Sequence, residues 1–168
     1  MPDPADERAA TFFRRSYTAV DGLWFRMIED KLGIEAALEF DQAVWRVMPK
    51  IQARQLKALL GAEQGLEALV ACFSTKLCWE GFEFETRAAP DGKRVDLVIH
   101  TCPWHNAMVK SGRQTLSGRV GESVCRHEYA VWADEFGPGL RFQLPTLLCQ
   151  GAEACILRFE QLADAERS

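Results

Sequence analysis

Four cysteines in the second half of the chain lie where predicted elements begin or end. Cys102 follows a predicted strand, Cys125 lies on a predicted long helix, and Cys149 and Cys155 bracket a turn. Thiolates suit zinc and iron–sulfur clusters, because these metals favour sulfur. Four ligands would close a tetrahedral site, whereas three would leave a position for water or substrate. The cysteines therefore predict one metal centre, zinc or an iron–sulfur cluster; the alternative is that they are small core residues.

Two side chains near these cysteines are candidate catalytic groups. Glu128 lies three residues after Cys125, on the same face of the predicted helix, and His105 lies three residues after Cys102. Glu128 could be a general base, a fourth ligand, a partner of a ligand or a solvated carboxylate. His105 could be a ligand, a proton carrier, or a capping or surface histidine.

Residues outside this group favour structural roles. Cys72 and Cys78 lie in apolar surroundings, which is typical of packing cysteines. Aromatic residues in the first third could line a ligand pocket, although stripes at helical spacing are more typical of a core. These aromatic residues are Tyr17, Trp24, Phe25 and Trp45.

The elements that must position these residues begin with helices. Residues 21–31 carry apolar side chains at helical spacing, and Gly33 is a natural stop. A second helical pattern runs over residues 35–57, and Pro49 should kink or divide it. A third helix is predicted for residues 63–75.

The period then changes to that of strands. Residues 78–86 and 94–101 alternate apolar and polar side chains around a Pro-Asp-Gly turn signal, which predicts a β-hairpin. A helical period returns over residues 113–136, and two short strands are predicted at 140–148 and 154–160. Helices followed by a β-β-α-β-β unit predict an α+β fold with an antiparallel sheet.

Length and composition favour one compact domain. Its predicted parts are a helical N-terminal region, residues 1–76, and a cysteine-containing α+β region, residues 77–168. The net charge of −4 argues against a nucleic-acid binder dominated by phosphate contacts. The N-terminal residues lack the pattern of a secretory signal, and no window has the roughly 20 apolar residues of a membrane span. We therefore expect a cytoplasmic protein with reduced thiols and no membrane partner.

Three segments of the C-terminal half resemble a known family. Cys-Pro-Trp at 102–104, Cys-x-x-Glu at 125–128, and RFQLPTLLCQGAEACILRF at 141–159 resemble the L-2-amino-thiazoline-4-carboxylic acid hydrolase-like family. The layout is similar, more distantly, to 4-vinyl-reductase-type small-ligand domains, in which clustered cysteines hold zinc. The resemblance implies site roles for Cys102, Cys125, Cys155 and Glu128. Cys149 is an additional thiol relative to the hydrolase-like members, which favours a four-cysteine centre.

Three functional interpretations remain open. The favoured one is a metal-binding domain for a small ligand or for redox chemistry, with the helical N-terminus covering a pocket. The second, implied by the resemblance, is a hydrolase acting on a C–N bond of a cyclic amidine-like small molecule. The third is a structural or interaction protein whose thiols belong to the core. The expected partner is a small-molecule ligand, and large apolar helix faces are compatible with a homodimer.

Overall fold

A computed structural model describes residues 4–162 and confirms the α+β class. The N-terminal helices are α1 (Pro4–Leu32), α2 (Ile34–Val44), α3 (Met48–Leu60) and α4 (Leu66–Glu80). Strands β1 (Glu83–Ala88) and β2 (Arg94–Thr101) follow, then helices α5 (Pro103–Lys110), α6 (Gln114–Val120) and α7 (Arg126–Glu135). A π-helical segment (Gly121–Cys125) joins α6 to α7. Strand β3 (Leu140–Thr146), a 3-10 turn (Leu148–Gln150) and strand β4 (Cys155–Gln161) complete the described chain.

The four strands form one antiparallel sheet in the order β1-β2-β4-β3. Alternation along β4 buries Leu157 and Phe159 on one face, whereas Arg158 on the other face forms a bidentate ion pair with Asp96 at 2.8 Å. Phe73 of α4 packs against the buried face, and the centroids of the Phe73 and Phe159 rings lie 5.7 Å apart. The core therefore lies between the sheet and the helices α4 and α7.

The helix boundaries near Gly33 and Pro49 agree with the sequence. Helix α1 ends at Leu32, and Gly33 follows with φ 88°, a conformation that side chains with a Cβ rarely adopt. Pro49 lies in the first turn of α3 and so divides the predicted second helix in two. The predicted strand over residues 94–101 coincides with β2.

The start of the first strand was predicted wrongly. Residues 78–80 belong to helix α4, and β1 begins only at Glu83. The apolar positions Leu69, Phe73 and Leu77 continue a helical stripe, which ends where Gly81 takes the left-handed conformation at φ 85°. Helix α5 was not predicted; Pro103 occupies its first turn, where a missing N–H group is harmless.

Helix α1 extends well beyond the predicted residues 21–31, and its apolar stripe does not face the core. The side chains of Leu23, Trp24 and Met27 are exposed, Trp24 to 67%. None of the described α1 side chains is fully buried. The inward side of α1 instead meets a cavity with charged walls. No helix in the described part of the chain is both long and apolar enough to cross a bilayer.

Candidate functional site

A cavity of about 290 Å³ lies between helices α1 and α2 and the rest of the molecule. We call it the larger cavity, to distinguish it from a smaller one described below. Helices α1 and α2 form one side of it, and α4, α5 and the helical run from α6 to α7 form the other. Aromatic side chains make up much of the wall: Phe25, Trp45, Phe82, Trp104 and Tyr129. Of the four N-terminal aromatic residues singled out from the sequence, Phe25 and Trp45 line the cavity, Tyr17 packs on Trp104, and Trp24 faces solvent.

A buried ion-pair network borders the larger cavity. The Lys76 ammonium lies 2.6 Å from Glu128 Oε1 and 2.9 Å from Glu80 Oε2. These side chains are buried, with whole-residue exposures of 4% for Lys76, 8% for Glu80 and 5% for Glu128. Gln52 donates a hydrogen bond to Glu80 Oε1 at 3.0 Å, and the ammonium lies 5.9 Å from the centre of the Phe82 ring. Helices α3, α4 and α7 thus converge on one buried cation.

Two carboxylates share this one cation, and their environment changes the pKa values. Burial alone would lower the pKa of Lys76, but the charges of Glu128 and Glu80 outweigh it and raise that pKa. Burial raises the pKa of Glu128, and the attraction of Lys76 offsets only part of the rise. The ammonium is therefore held charged, whereas Glu128 takes up a proton more readily than an ordinary glutamate.

A second pair of acids, Asp21 and Asp41, enters the larger cavity from α1 and α2. The indole N–H of Trp104 donates to Asp21 Oδ2 at 3.0 Å, and hydrogen bonding from Trp45 acts on both carboxyl groups. Burial raises the pKa of Asp21, and burial together with the charge of Asp21 raises the pKa of Asp41 to about 7. The two aspartates are therefore close enough to repel each other.

The four candidate cysteines line a second, smaller cavity of about 50 Å³. Cys102 precedes α5, Cys125 ends the π-helical segment, and Cys149 and Cys155 come from the β3–β4 connection and the start of β4. Cys102 and Cys125 also line the larger cavity. The fold therefore places all four residues around one space that adjoins the larger cavity.

The π-helical segment sets how closely the chain approaches Cys149. A Cβ atom added at Gly121 would overlap the Cys149 sulfur, and one added at Gly118 would lie 3.2 Å from the Cys149 carbonyl oxygen. Single π-helical turns inside α-helices occur frequently at functional sites. Here the wider turn carries Cys125 to the wall between the two cavities.

Sulfur atoms are suitable ligands for a metal, but the four cysteine side chains are not arranged as a metal site. Burial raises the pKa of all four thiols, to about 12 for Cys102, about 11 for Cys155, well above the usual value for Cys125 and upward for Cys149. Over residues 4–162, no group of three or more histidine, cysteine, aspartate or glutamate side chains is arranged to hold a metal ion. A metal would have to draw the thiols together and displace their protons.

The two candidate catalytic residues lie in different cavities. Glu128 lines the larger cavity and is paired with Lys76. His105 lines the smaller cavity, where its Nδ1 lies 2.8 Å from the hydroxyl oxygen of the buried Ser117. The remaining cysteines differ in exposure, since Cys72 is buried and Cys78 is exposed at the end of α4.

Four charged residues of the larger cavity were not predicted from the sequence: Lys76, Glu80, Asp21 and Asp41. A signal for the first two was present, because Lys76 and Glu80 continue the stripe of Leu69, Phe73 and Leu77 along α4. Charged residues on an apolar helical stripe are rarely buried without a partner. The aspartates gave no such signal. Many apolar side chains of α1 and α2 face solvent, whereas Asp21 and Asp41 lie on the inward side.

One sequence family matches the chain. Its description is a family of unknown function (DUF6125), and the match covers residues 9–154. No curated protein is significantly similar to the chain. The resemblance to the amino-thiazoline carboxylate hydrolase-like family stays a prediction.

Proposed function

The chain belongs to the DUF6125 family of unknown function, and we propose that it binds a small molecule in the larger cavity. One observation carries this proposal: Lys76, Glu80 and Glu128 are buried, yet they border a cavity whose walls are largely apolar and include five aromatic side chains. Burying charged groups opposes folding unless they are well paired, and such groups cluster at functional sites. Apolar cavities with a few convergent polar groups are also the usual form of small-ligand sites.

Blocking the larger cavity tests the proposal. Trp45 and Trp104 lie in its wall, so their fluorescence should change when a ligand enters. A library of small molecules is screened by thermal unfolding, and each compound that stabilises the protein is titrated by tryptophan fluorescence. Ala107→Phe adds a ring at the cavity wall and should abolish both responses, whereas Ala43→Phe on the exposed part of α2 should retain them. Equal responses in both variants would contradict binding in this cavity.

A second proposal is a metal centre formed by Cys102, Cys125, Cys149 and Cys155. The supporting observation is that the four thiols surround one small cavity. Metal analysis and a visible spectrum of anaerobically purified protein distinguish zinc from an iron–sulfur cluster. Cys125→Ser should lower metal content and thermal stability together, and Cys72→Ser should leave metal content unchanged. Protein that contains no metal under these conditions would contradict the proposal.

Hydrolysis of a C–N bond stays a prediction that the family resemblance implies. Its two candidate groups are engaged elsewhere, Glu128 with Lys76 and His105 with Ser117. A role for Glu128 as general base requires that substrate binding separates it from the ammonium. Incubation with amino-thiazoline carboxylate and detection of the ring-opened product tests the activity directly, with Glu128→Gln as the variant expected to be inactive.

Two coarser proposals concern the cell and the assembly. The six cysteines are free thiols, which favours a reducing compartment such as the cytoplasm. Exposed apolar side chains along α1, among them Phe13, Val20 and Met27, favour a homodimer. Light scattering coupled to gel filtration tests the dimer, and a monomeric mass at high concentration would contradict it.

A further inference from the structure

The basic side chains that line the larger cavity are already neutralised. Lys76 lies between the two buried glutamates described above. Arg26 lies 3.0 Å from Asp30 Oδ1, and Arg113 pairs with Glu29. Neither Asp30 nor Glu29 belongs to the cavity wall. Each basic group of the wall therefore has an acidic partner.

The acids of the wall are in excess. Within residues 4–162, no basic side chain lies within ion-pair distance of Asp21 or Asp41. Their partners are the neutral indole groups of Trp104 and Trp45. Uncharged donors only partly compensate a buried carboxylate, so these two groups attract positive charge into the cavity.

One buried oxygen atom near the same acids lacks a hydrogen bond. Glu80 borders the cavity, but its Oε2 is already paired with Lys76 Nζ at 2.9 Å. The hydroxyl group of Tyr17 has no hydrogen-bond partner among the described residues. Its ring packs edge-on against Trp104 with centroids 6.1 Å apart. Unsatisfied buried polar atoms are uncommon, and the Tyr17 hydroxyl group can both donate and accept a hydrogen bond.

The aromatic walls suit a cation as well. Trp104 stacks on Phe82 with centroids 5.7 Å apart and meets Trp45 edge-on at 6.1 Å. The faces of aromatic rings attract cations, most strongly where water is excluded. The larger cavity thus combines unpaired carboxyl groups with a cluster of indole and phenyl rings.

We infer that the larger cavity recognises a small organic cation, a protonated amine on an apolar or aromatic body. Its ammonium group lies between Asp21 and Asp41, and its body packs against Trp45, Trp104 and Phe82. The inference rests on the proposed small-molecule binding and adds the chemical class of the ligand. A cation relieves the repulsion between the two aspartates, which the folded protein otherwise carries.

Matched probes of different charge test the inference. Phenethylamine, 2-phenylethanol and phenylacetate have similar bodies and carry positive, no and negative charge at neutral pH. Each is titrated into the intact protein by tryptophan fluorescence, with calorimetry as a second readout. We expect phenethylamine to bind at least roughly tenfold more tightly than 2-phenylethanol, since one charge-assisted contact is worth about 1.4 kcal/mol or more. Phenylacetate should bind most weakly.

Variants separate this inference from the proposed function. Asp41→Asn should weaken phenethylamine binding about tenfold and change 2-phenylethanol binding much less. Asp21→Asn is the second variant, in case one substitution impairs folding, and Asp134→Asn on the exposed side of α7 is the control. If 2-phenylethanol binds as tightly as phenethylamine, the cavity binds ligands but the inference is wrong. If none of the three probes binds, the inference is wrong, and the library screen with Ala107→Phe decides the proposed function separately.

Discussion

At the scale of single residues, Lys76 is the group whose removal should matter most to stability. Lys76→Met keeps the length of the side chain but leaves Glu80 and Glu128 buried without a cation. Breaking a buried pair in this way typically costs about 3–5 kcal/mol. We expect a loss of that size in the free energy of unfolding, measured by urea denaturation at pH 8.

Lys50→Met is the matched control, because Lys50 is exposed on α3. It should change the free energy of unfolding by less than about 0.5 kcal/mol. The loss in Lys76→Met should also shrink at pH 5, since the raised pKa of Glu128 lets that carboxyl group become neutral. Lys76→Met/Glu128→Gln should recover part of the stability. A loss that is small and independent of pH would contradict the buried network.

The pKa of Asp41 makes stability depend on pH in a defined direction. Its folded pKa is about 7, against an ordinary value of 3.8. The folded state therefore holds the proton more tightly, and this contribution is complete below pH 3.8 and is lost as pH rises through 7. Asp41→Asn removes the dependence while keeping a polar group beside Trp45. Between pH 5 and pH 8, the free energy of unfolding of the variant should rise by roughly 2 kcal/mol relative to that of the wild type. This is less than the full pKa shift of Asp41 implies, because the site is partly hydrated.

Urea denaturation of both proteins at these pH values checks the prediction. Asp134→Asn serves again as the control and should run parallel to the wild type. If the stability of Asp41→Asn depends on pH in the same way as that of the wild type, neither burial nor Asp21 perturbs the pKa of Asp41. The other ionisable groups that act on this site are Asp21 and Glu128, both of which the variant retains.

The residue scale also separates what sequence could reveal from what it could not. The positions of Cys102, Cys125, Cys149 and Cys155 at predicted element junctions led to the hypothesis of one shared site. All four residues line the smaller cavity, because the elements that carry them pack together; the metal stays a prediction. Asp21 and Asp41 belong to different helices, and their proximity depends on how α1 and α2 dock. Periodicity within one helix carries no information on that docking.

At the scale of elements, the π-helical segment is the feature that places Cys125 and Cys149. Gly121→Ala adds a methyl group that overlaps the Cys149 sulfur, although the backbone of Gly121 is ordinary helix with φ −59°. Overpacking of this kind typically costs about 1–3 kcal/mol. We expect that loss in thermal or urea unfolding. In the background of Cys149→Ala the same substitution should cost less by about 1 kcal/mol or more.

Gly22→Ala provides the comparison for this cycle. Gly22 is also helical, and nothing lies within 4 Å of an added Cβ atom. Helix propensity alone should then stabilise the protein by up to about 1 kcal/mol. If Gly121→Ala behaves like Gly22→Ala, close packing against Cys149 does not constrain the π-helical segment.

Elements were predicted best where one local signal decided them. Pro49 divides α2 from α3, and alternation alone located β2. The prediction failed over residues 78–80, where an apolar run suits strand and helix equally and the Gly81 cap decides the outcome. The π-helical segment was not foreseen, because its residues carry the same apolar period as the α-helices on either side of it.

At the scale of the whole molecule, the α1–α2 hairpin is attached differently from the other elements. The main core cluster contains no residue of α1 or α2. Polar contacts help to hold the hairpin: Trp104 with Asp21, Arg113 with Glu29, and Arg119 with Glu35. The Tyr17 ring also packs edge-on against Trp104. Such polar contacts contribute little individually. The apolar stripe of α1 faces solvent and not a core, because the inward side of the helix lines the larger cavity with its charged groups.

This attachment predicts that the hairpin opens more readily than the sheet. Amide hydrogen exchange should be faster in α1 and α2 than in α4 or β2, since regions with few buried apolar contacts open at lower free energy. Arg113→Gln removes the pair with Glu29 and the contact of the guanidinium with the Phe25 ring. It should speed exchange in α1 roughly two- to fivefold, the equivalent of about 0.5–1 kcal/mol, and leave β2 unchanged.

The control variant Arg54→Gln breaks an ion pair of similar type that joins α3 to α7, so α1 should exchange as in the wild type. A ligand bound in the larger cavity contacts both the hairpin and the remainder of the molecule, and it should slow exchange in α1 and α2 most. Uniform protection across the chain would mean that the hairpin unfolds only with the core. Slower exchange confined to the hairpin would mean that ligand binding opposes the opening of the hairpin alone.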